Sequence, residues 1–215
     1  MKSLQESRLY TFVDTAYLHG RRPDEVAREL CDGGADIIQL RAKNESPEQV
    51  LRLAETLLPI TRRAGVPLVI NDYVDVATKI GAEFVHLGQE DFFDNGLTHR
   101  GQLSGSPAGL RLGLSSHAPG QALRAVSAGA DYIAIGPVFP TGTKPGRAGV
   151  TVDYVRWAAA NVSIPWFAIG GITLHTVDEV VAAGAKGICV VSAILNAPGI
   201  SQACRDFTRR LAAGT

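Results

Sequence analysis

Short apolar runs alternate along the chain with longer stretches in which apolar residues recur every three or four positions. The first pattern is that of strands buried on both faces, the second that of amphipathic helices. Four times a helical stretch closes on Gly-Ala, adds one polar residue and runs into a strand. These junctions are Gly34-Ala35-Asp36 before Ile37 to Leu40, Gly81-Ala82-Glu83 before Phe84 to Leu87, Gly129-Ala130-Asp131 before Tyr132 to Ile135, and Gly184-Ala185-Lys186 before Gly187 to Val191. They recur at intervals of 47, 48 and 55 residues. A strand with its crossover helix needs about half of that, so each interval holds two β–α units. The intervening strands are Leu9 to Val13, Val66 to Ile70, Leu110 to Leu114 and Ile164 to Ile169. Eight alternating strands and helices predict an α/β fold, a single-domain (β/α)8 TIM barrel over residues 1–215, with about residues 1–7 as an extension.

The helices carry their own signals. Pro23-Asp24-Glu25 places acid at a helix start, and Gly33 or Gly34 ends that helix. Ser46-Pro47-Glu48-Gln49 reads as a capping box, followed by an apolar stripe of Val50, Leu53, Ala54, Leu57 and Leu58; Pro59 is expected to kink or end the helix. Residues 92–109 are rich in glycine, serine and proline where a fourth helix is due, and predict a long irregular loop with at most a short helix.

Composition narrows the class. The chain is 46% apolar, and its 21 basic and 21 acidic side chains cancel without a like-charged run, so neither a nucleic-acid nor a membrane partner is expected. Cys31, Cys189 and Cys204 are odd in number and far apart, which points to reduced thiols in a cytoplasmic protein, with Cys31 and Cys189 in the core. The N-terminus shows no apolar leader, no stretch approaches a membrane span, and nothing in the sequence signals an oligomeric state.

A barrel of this kind carries its site at the C-terminal ends of the strands. There the second strand alternates Gln39, Arg41 and Lys43 toward one face, an arrangement that favours an anionic ligand. The third ends Asn71-Asp72 and the fourth His86-Leu-Gly-Gln-Glu-Asp91. Asp72 and Asp91 suit magnesium, a hard ion held by one or two carboxylates, although Asp72 also fits a helix N-cap. His86 reads as an interior histidine and Glu90 as a solvated neighbour. After the fifth strand, Ser115 is placed to donate to a ligand, Ser116 to cap the next helix, and His117 to titrate near neutrality. The sixth strand delivers Pro140-Thr-Gly-Thr-Lys-Pro-Gly146, whose glycines, hydroxyls and lysine suit a phosphate, as do the backbone amides after Gly170-Gly171 and Val190-Val191-Ser192.

Taken together, Gln39-Leu-Arg-Ala-Lys43, Asn71-Asp72, Gly88-Gln-Glu-Asp91, Gly113-Leu-Ser115, Pro140-Thr-Gly-Thr-Lys144, Ile169-Gly-Gly-Ile172 and Val190-Val-Ser-Ala-Ile194 resemble the thiamine phosphate synthase family, in order and at strand ends throughout. The resemblance implies a magnesium-dependent transferase that joins hydroxymethylpyrimidine diphosphate to a thiazole phosphate and releases pyrophosphate. It places Gln39, Leu40, Arg41, Ala42, Lys43, Asn71, Ser115 and Lys144 around the pyrimidine diphosphate. Arg41, Lys43, Ser115 and Lys144 take the catalytic roles, and Asp72 and Asp91 hold magnesium. Thr141, Gly142, Thr143, Gly171, Val191 and Ser192 hold the thiazole phosphate. The chain departs from the family at Ala42, which stands where an acid is common, in the long fourth loop, and in the wording of Leu9 to Asp14. Two rival readings are a thiazole tautomerase-like isomerase using His117 and a non-catalytic phosphate-binding barrel.

Overall fold

In a computed structural model, which describes residues 2–103, 109–141 and 150–213, eight strands pair in parallel in chain order. They are β1 (Leu9–Asp14), β2 (Ile37–Arg41), β3 (Leu68–Asn71), β4 (Phe84–Leu87), β5 (Arg111–Ser116), β6 (Tyr132–Ile135), β7 (Trp166–Ile169) and β8 (Ile188–Cys189), and β8 closes onto β1. Around them lie α1 (Pro23–Asp32), α2 (Pro47–Ala64), α3 (Val74–Ile80), α4 (Pro119–Ser127), α5 (Thr151–Asn161), α6 (Val177–Ala182), α7 (Ser192–Leu195) and α8 (Ile200–Ala213). Among the described residues, the chain between β4 and β5 holds a π-helical turn at Glu90–Asp94 and a 3-10 turn at Arg100–Gln102, in line with its breaker-rich composition. Among the described residues no helix is long and apolar enough to cross a membrane.

The Gly-Ala-polar junctions have one physical explanation. Gly34, Gly81, Gly129 and Gly184 all take positive φ, between 66° and 104°, and the alanine after each returns its N–H to a carbonyl in the last helical turn. The following acid then serves the neighbouring strand. Asp36 accepts from the N–H groups of Arg8 and Leu9 at 2.7 and 3.0 Å, Glu83 from Leu68 at 3.1 Å and Asp131 from Leu112 at 2.8 Å. Three acids thus satisfy strand-initiating donors at the bottom of the barrel, where strand order would otherwise leave them open. In the fourth junction Lys186 gives its carbonyl to Arg8 instead, at 3.2 Å.

Several local expectations need correction. α2 does not end at Pro59 but runs to Ala64, where Gly65 closes it at φ 69°. Ser116 does not cap α4; its hydroxyl hydrogen-bonds Tyr154 and the Ala118 carbonyl, and Ala118 stands at the cap position. Asp72 does not cap α3, whose cap residue is Tyr73 without a side-chain bond. Cys31 is only half-buried, while Cys189 and Cys204 are buried.

Candidate active site

Alternation along the strands sends Tyr10 and Phe12, Gln39 and Arg41, Asn71, His86, Ser115, Ala134, Ile169 and Cys189 into one cleft at the C-terminal mouth. The cleft encloses about 850 Å³, part of it open to solvent. Beneath it lies a packed aromatic layer, of which Tyr10 and Phe12 reach the cleft lining. Tyr10, Phe12, Phe84, Tyr132 and Phe167 meet with ring centroids 5.4 to 5.8 Å apart, and the Arg111 guanidinium closes the lower end 3.9 Å above Phe84. Gly113 has no side chain because Tyr132 fills its space; a Cβ there would lie 2.1 Å from the tyrosine ring.

Above this layer runs a chain of buried polar groups. Gln39 donates to the Tyr10 hydroxyl at 2.6 Å, the Tyr10 and Tyr132 hydroxyls are 2.8 Å apart, Tyr132 lies 3.0 Å from His86 Nδ1, and His86 Nε2 is 2.9 Å from Ser115 Oγ. One donor order satisfies every link: Gln39 to Tyr10, Tyr10 to Tyr132, Tyr132 to His86, and His86 Nε2–H to Ser115. In that order the Ser115 proton takes no part in the chain. Burial, the largest cause, pushes both tyrosine hydroxyls well above their ordinary range, so they remain neutral donors. His86 is the satisfied interior histidine that the sequence suggests, but it sits directly behind Ser115.

The charged groups expected at the β2 and β3 ends find partners within the chain. Arg41 pairs with Asp14 at 2.8 Å, an acid only 1% exposed that also caps the Thr15–Tyr17 turn through the Ala16 N–H. Lys43 pairs with Asp72, which stands at φ +67°. That conformation is rare outside glycine and is characteristic of functional turns. Arg41 and Asn71 line the cleft; Lys43, Asp72 and Asp91 lie in the turns beyond it. Leu40 and Ala42 are buried on the opposite side of β2, away from the cleft. Asp91 folds back so that its Oδ2 accepts from the Gly88 N–H at 3.3 Å, and a Cβ at Gly88 would approach that oxygen to 2.7 Å and push the carboxylate aside.

Across the cleft stand Thr141, Gly171, Val191 and Ser192. Gly170 and Gly171 take positive φ, and the β7 turn presses on the β6 loop there, so that side chains would come within 2.4 Å of Pro137 and 2.7 Å of Phe139. Val138 and Phe139 donate to the carbonyls of Ile169 and Gly170 at 2.8 and 3.0 Å, locking the two turns together. His117 hydrogen-bonds the Gly136 carbonyl on the same wall. Gly142, Thr143 and Lys144 lie outside the described residues.

Sequence reasoning left Asp14, Tyr10, Tyr132 and Gln89 without a role. Gln89 stood within the quoted Gly88-Gln-Glu-Asp91 motif and Asp14 at the end of the first strand, so position alone marked both. The tyrosines gave no signal, because a tyrosine in a strand is an ordinary β-former.

Eight parallel strands closed around a filled interior, with a polar cleft confined to their C-terminal ends, define a (β/α)8-barrel enzyme. A family model described as thiamine monophosphate synthase matches residues 9–194. Thiamine-phosphate synthases from Thermus thermophilus and Chloroflexus aurantiacus are 46% and 43% identical to the chain, covering 87% and 93% of it and 88% and 90% of their own lengths. The solved thiamine phosphate pyrophosphorylase from Pyrococcus furiosus superposes with a TM-score of 0.83 at 29% identity, over 98% of each chain. The chain therefore belongs to the thiamine monophosphate synthase family, and is a transferase of thiamine biosynthesis.

Proposed function

We propose that the cleft joins hydroxymethylpyrimidine diphosphate to a thiazole phosphate, giving thiamine phosphate and pyrophosphate. The observation that carries this reading is the opposition of two polar sets across one cleft. Gln39, Arg41, Asn71 and Ser115 face the cleft from β2, β3 and β5, and Thr141, Gly171, Val191 and Ser192 face it from β6 to β8. The first set takes the pyrimidine diphosphate, with Arg41, Lys43 and Lys144 on its phosphates and Ser115 presenting its proton to the ring. The second, with Gly142 and Thr143, takes the thiazole phosphate.

The chemistry asks little covalent work of the protein. The C–O bond between the pyrimidine CH2 and the diphosphate breaks, its electron pair leaves with pyrophosphate, and the electron-rich ring stabilises the resulting cation. The thiazole nitrogen lone pair then forms the C–N bond. Holding the two partners in line and neutralising the departing anion are the protein's tasks. Tyr10 and Phe12, the aromatic residues lining the cleft, give that cation a partly apolar surround that limits its capture by water.

Asp72 and Asp91 supply hard oxygen donors of the kind magnesium takes. Asp72 is held in a strained turn with a cation, the Lys43 ammonium, already against its carboxylate, and Asp91 offers a second hard oxygen ligand. Among the described residues no group of three or more His, Cys, Asp or Glu side chains is preformed. A magnesium ion at Asp72 and Asp91 would take its other positions from water and diphosphate oxygens, and would supply charge neutralisation for the leaving group. We place the reaction in the cytoplasm, with all 215 residues acting as one domain.

The test is incubation with both substrates, with and without magnesium, assaying thiamine phosphate. Calorimetry separates the alternatives: magnesium-dependent binding of the pyrimidine diphosphate supports the synthase. Binding of thiazole phosphate alone supports an isomerase instead.

A further inference from the structure

The turn after β4 has an unusual structural problem. After the other strands the next described element is a helix that leads into the following β–α unit, whereas here Asp91 sits in a five-residue π-helical turn with no α-helix among the described residues before β5. π-helical turns are costly and tend to occur at functional positions. Some other element has to fix this one.

The anchor comes from α4. Gln89, 4% exposed, precedes the turn, and its amide spans two partners: Nε2 donates to the Ser115 carbonyl at 2.6 Å, and Oε1 accepts from Arg124 at 3.2 Å. The same guanidinium lies 3.8 Å from the centroid of the Phe93 ring, on the far side of Asp91. Phe93 in turn packs edge-on against the fully buried Phe92, 4.9 Å between centroids. One arginine therefore grips the turn on both sides of Asp91, and one glutamine ties it to the strand end that carries Ser115. A planar guanidinium stacks on a ring and donates at its edge together; an ammonium does not.

We propose that Gln89 and Arg124 are positioning residues that hold the Asp91 turn against the end of β5. They thereby set the spacing between the Asp91 carboxylate and the Ser115 hydroxyl. This assignment rests on the roles given to those two residues under the proposed function.

The test uses the full chain and the variants Arg124→Ala, Arg124→Lys and Gln89→Leu. Amide hydrogen exchange is followed in residues 88–97. Manganese, as a probe for magnesium, is titrated in the presence of pyrimidine diphosphate by electron paramagnetic resonance. Arg124→Ala should speed exchange across residues 88–97 and leave β1 and β2 protected. It should also weaken manganese binding about tenfold, as loss of a ligand-orienting partner does, with the KM for thiazole phosphate unchanged. Gln89→Leu should act in the same direction, and Arg124→Lys should not restore the wild-type values. Wild-type exchange in Arg124→Ala, or full rescue by lysine, overturns the proposal. A wild-type chain that binds no manganese contradicts the functional reading, and the exchange data then decide the clamp by themselves.

Discussion

Tyr132 connects more of the site than any residue named from the sequence. Its hydroxyl bridges Tyr10 and His86, its ring excludes a side chain at Gly113, and it stacks 5.6 Å from the His86 ring. Tyr132→Phe keeps the ring and removes only the bridge, leaving two buried polar atoms short of a partner. A loss of about 1–3 kcal/mol in urea denaturation is expected. Turnover should fall while the KM for thiazole phosphate holds, because the disturbed chain ends at Ser115 on the pyrimidine side. Equal loss on both substrates would contradict that placement. Under the proposed role of Lys144 on the leaving diphosphate, Lys144→Ala should lower turnover on the order of 10²-fold, the usual cost of losing an electrostatic stabiliser. Steady-state kinetics should show much less effect on thiazole-phosphate binding, and an unchanged rate of pyrophosphate release would remove Lys144 from the reaction.

The acids of the Gly-Ala-polar junctions work at the level of the element. Asp131 accepts from Leu112 at the start of β5 and pairs with Arg100 at 2.7 Å. Asp131→Ala strips both partners, and about 1–3 kcal/mol of stability should go with the unsatisfied strand donor. Activity per folded molecule should stay intact, since Asp131 is at the bottom of the barrel; a selective loss of turnover would show the two ends to be coupled. These junctions also explain why the strands were readable. Each combines a positive-φ glycine with a buried alanine, and three of the four add a strand-capping acid, so local physics and fold agree at one place. The missing fourth helix was readable for the same reason, from breakers in series. Pairings made only between neighbouring strand ends were not: Asp14 meets Arg41 across 27 residues and Lys43 meets Asp72 across 29. Sequence showed two cations and a carboxylate pair seeking ligands, whereas the folded chain already gives Arg41 and Lys43 acidic partners.

Across the whole molecule, the strongly perturbed acids with raised values are neutral when protonated, and this shapes the response to alkali. Burial pushes the Tyr154 hydroxyl up to about 12 from 10.0, and the Cys31 and Cys204 thiols up to about 11 and about 12 from 9.0. Cys189, Tyr10 and Tyr132 are raised well above their ordinary ranges for the same reason. In the unfolded chain these groups release protons near their ordinary values, while the folded chain retains them. Between about pH 9 and about pH 12 the unfolded state thus binds fewer protons, so stability must fall as pH rises through that window. The urea midpoint should therefore decline from about pH 9 to about pH 11, and Tyr154→Phe should flatten its upper part. The same displacement keeps the thiols from reacting, because the thiolate is the nucleophile. At about pH 8 all three cysteines should resist iodoacetamide in the folded chain and react together on unfolding. Rapid labelling of half-buried Cys31 alone would show that its burial does not protect it, and a urea midpoint that rises with pH would reverse the sign argued for the whole interior.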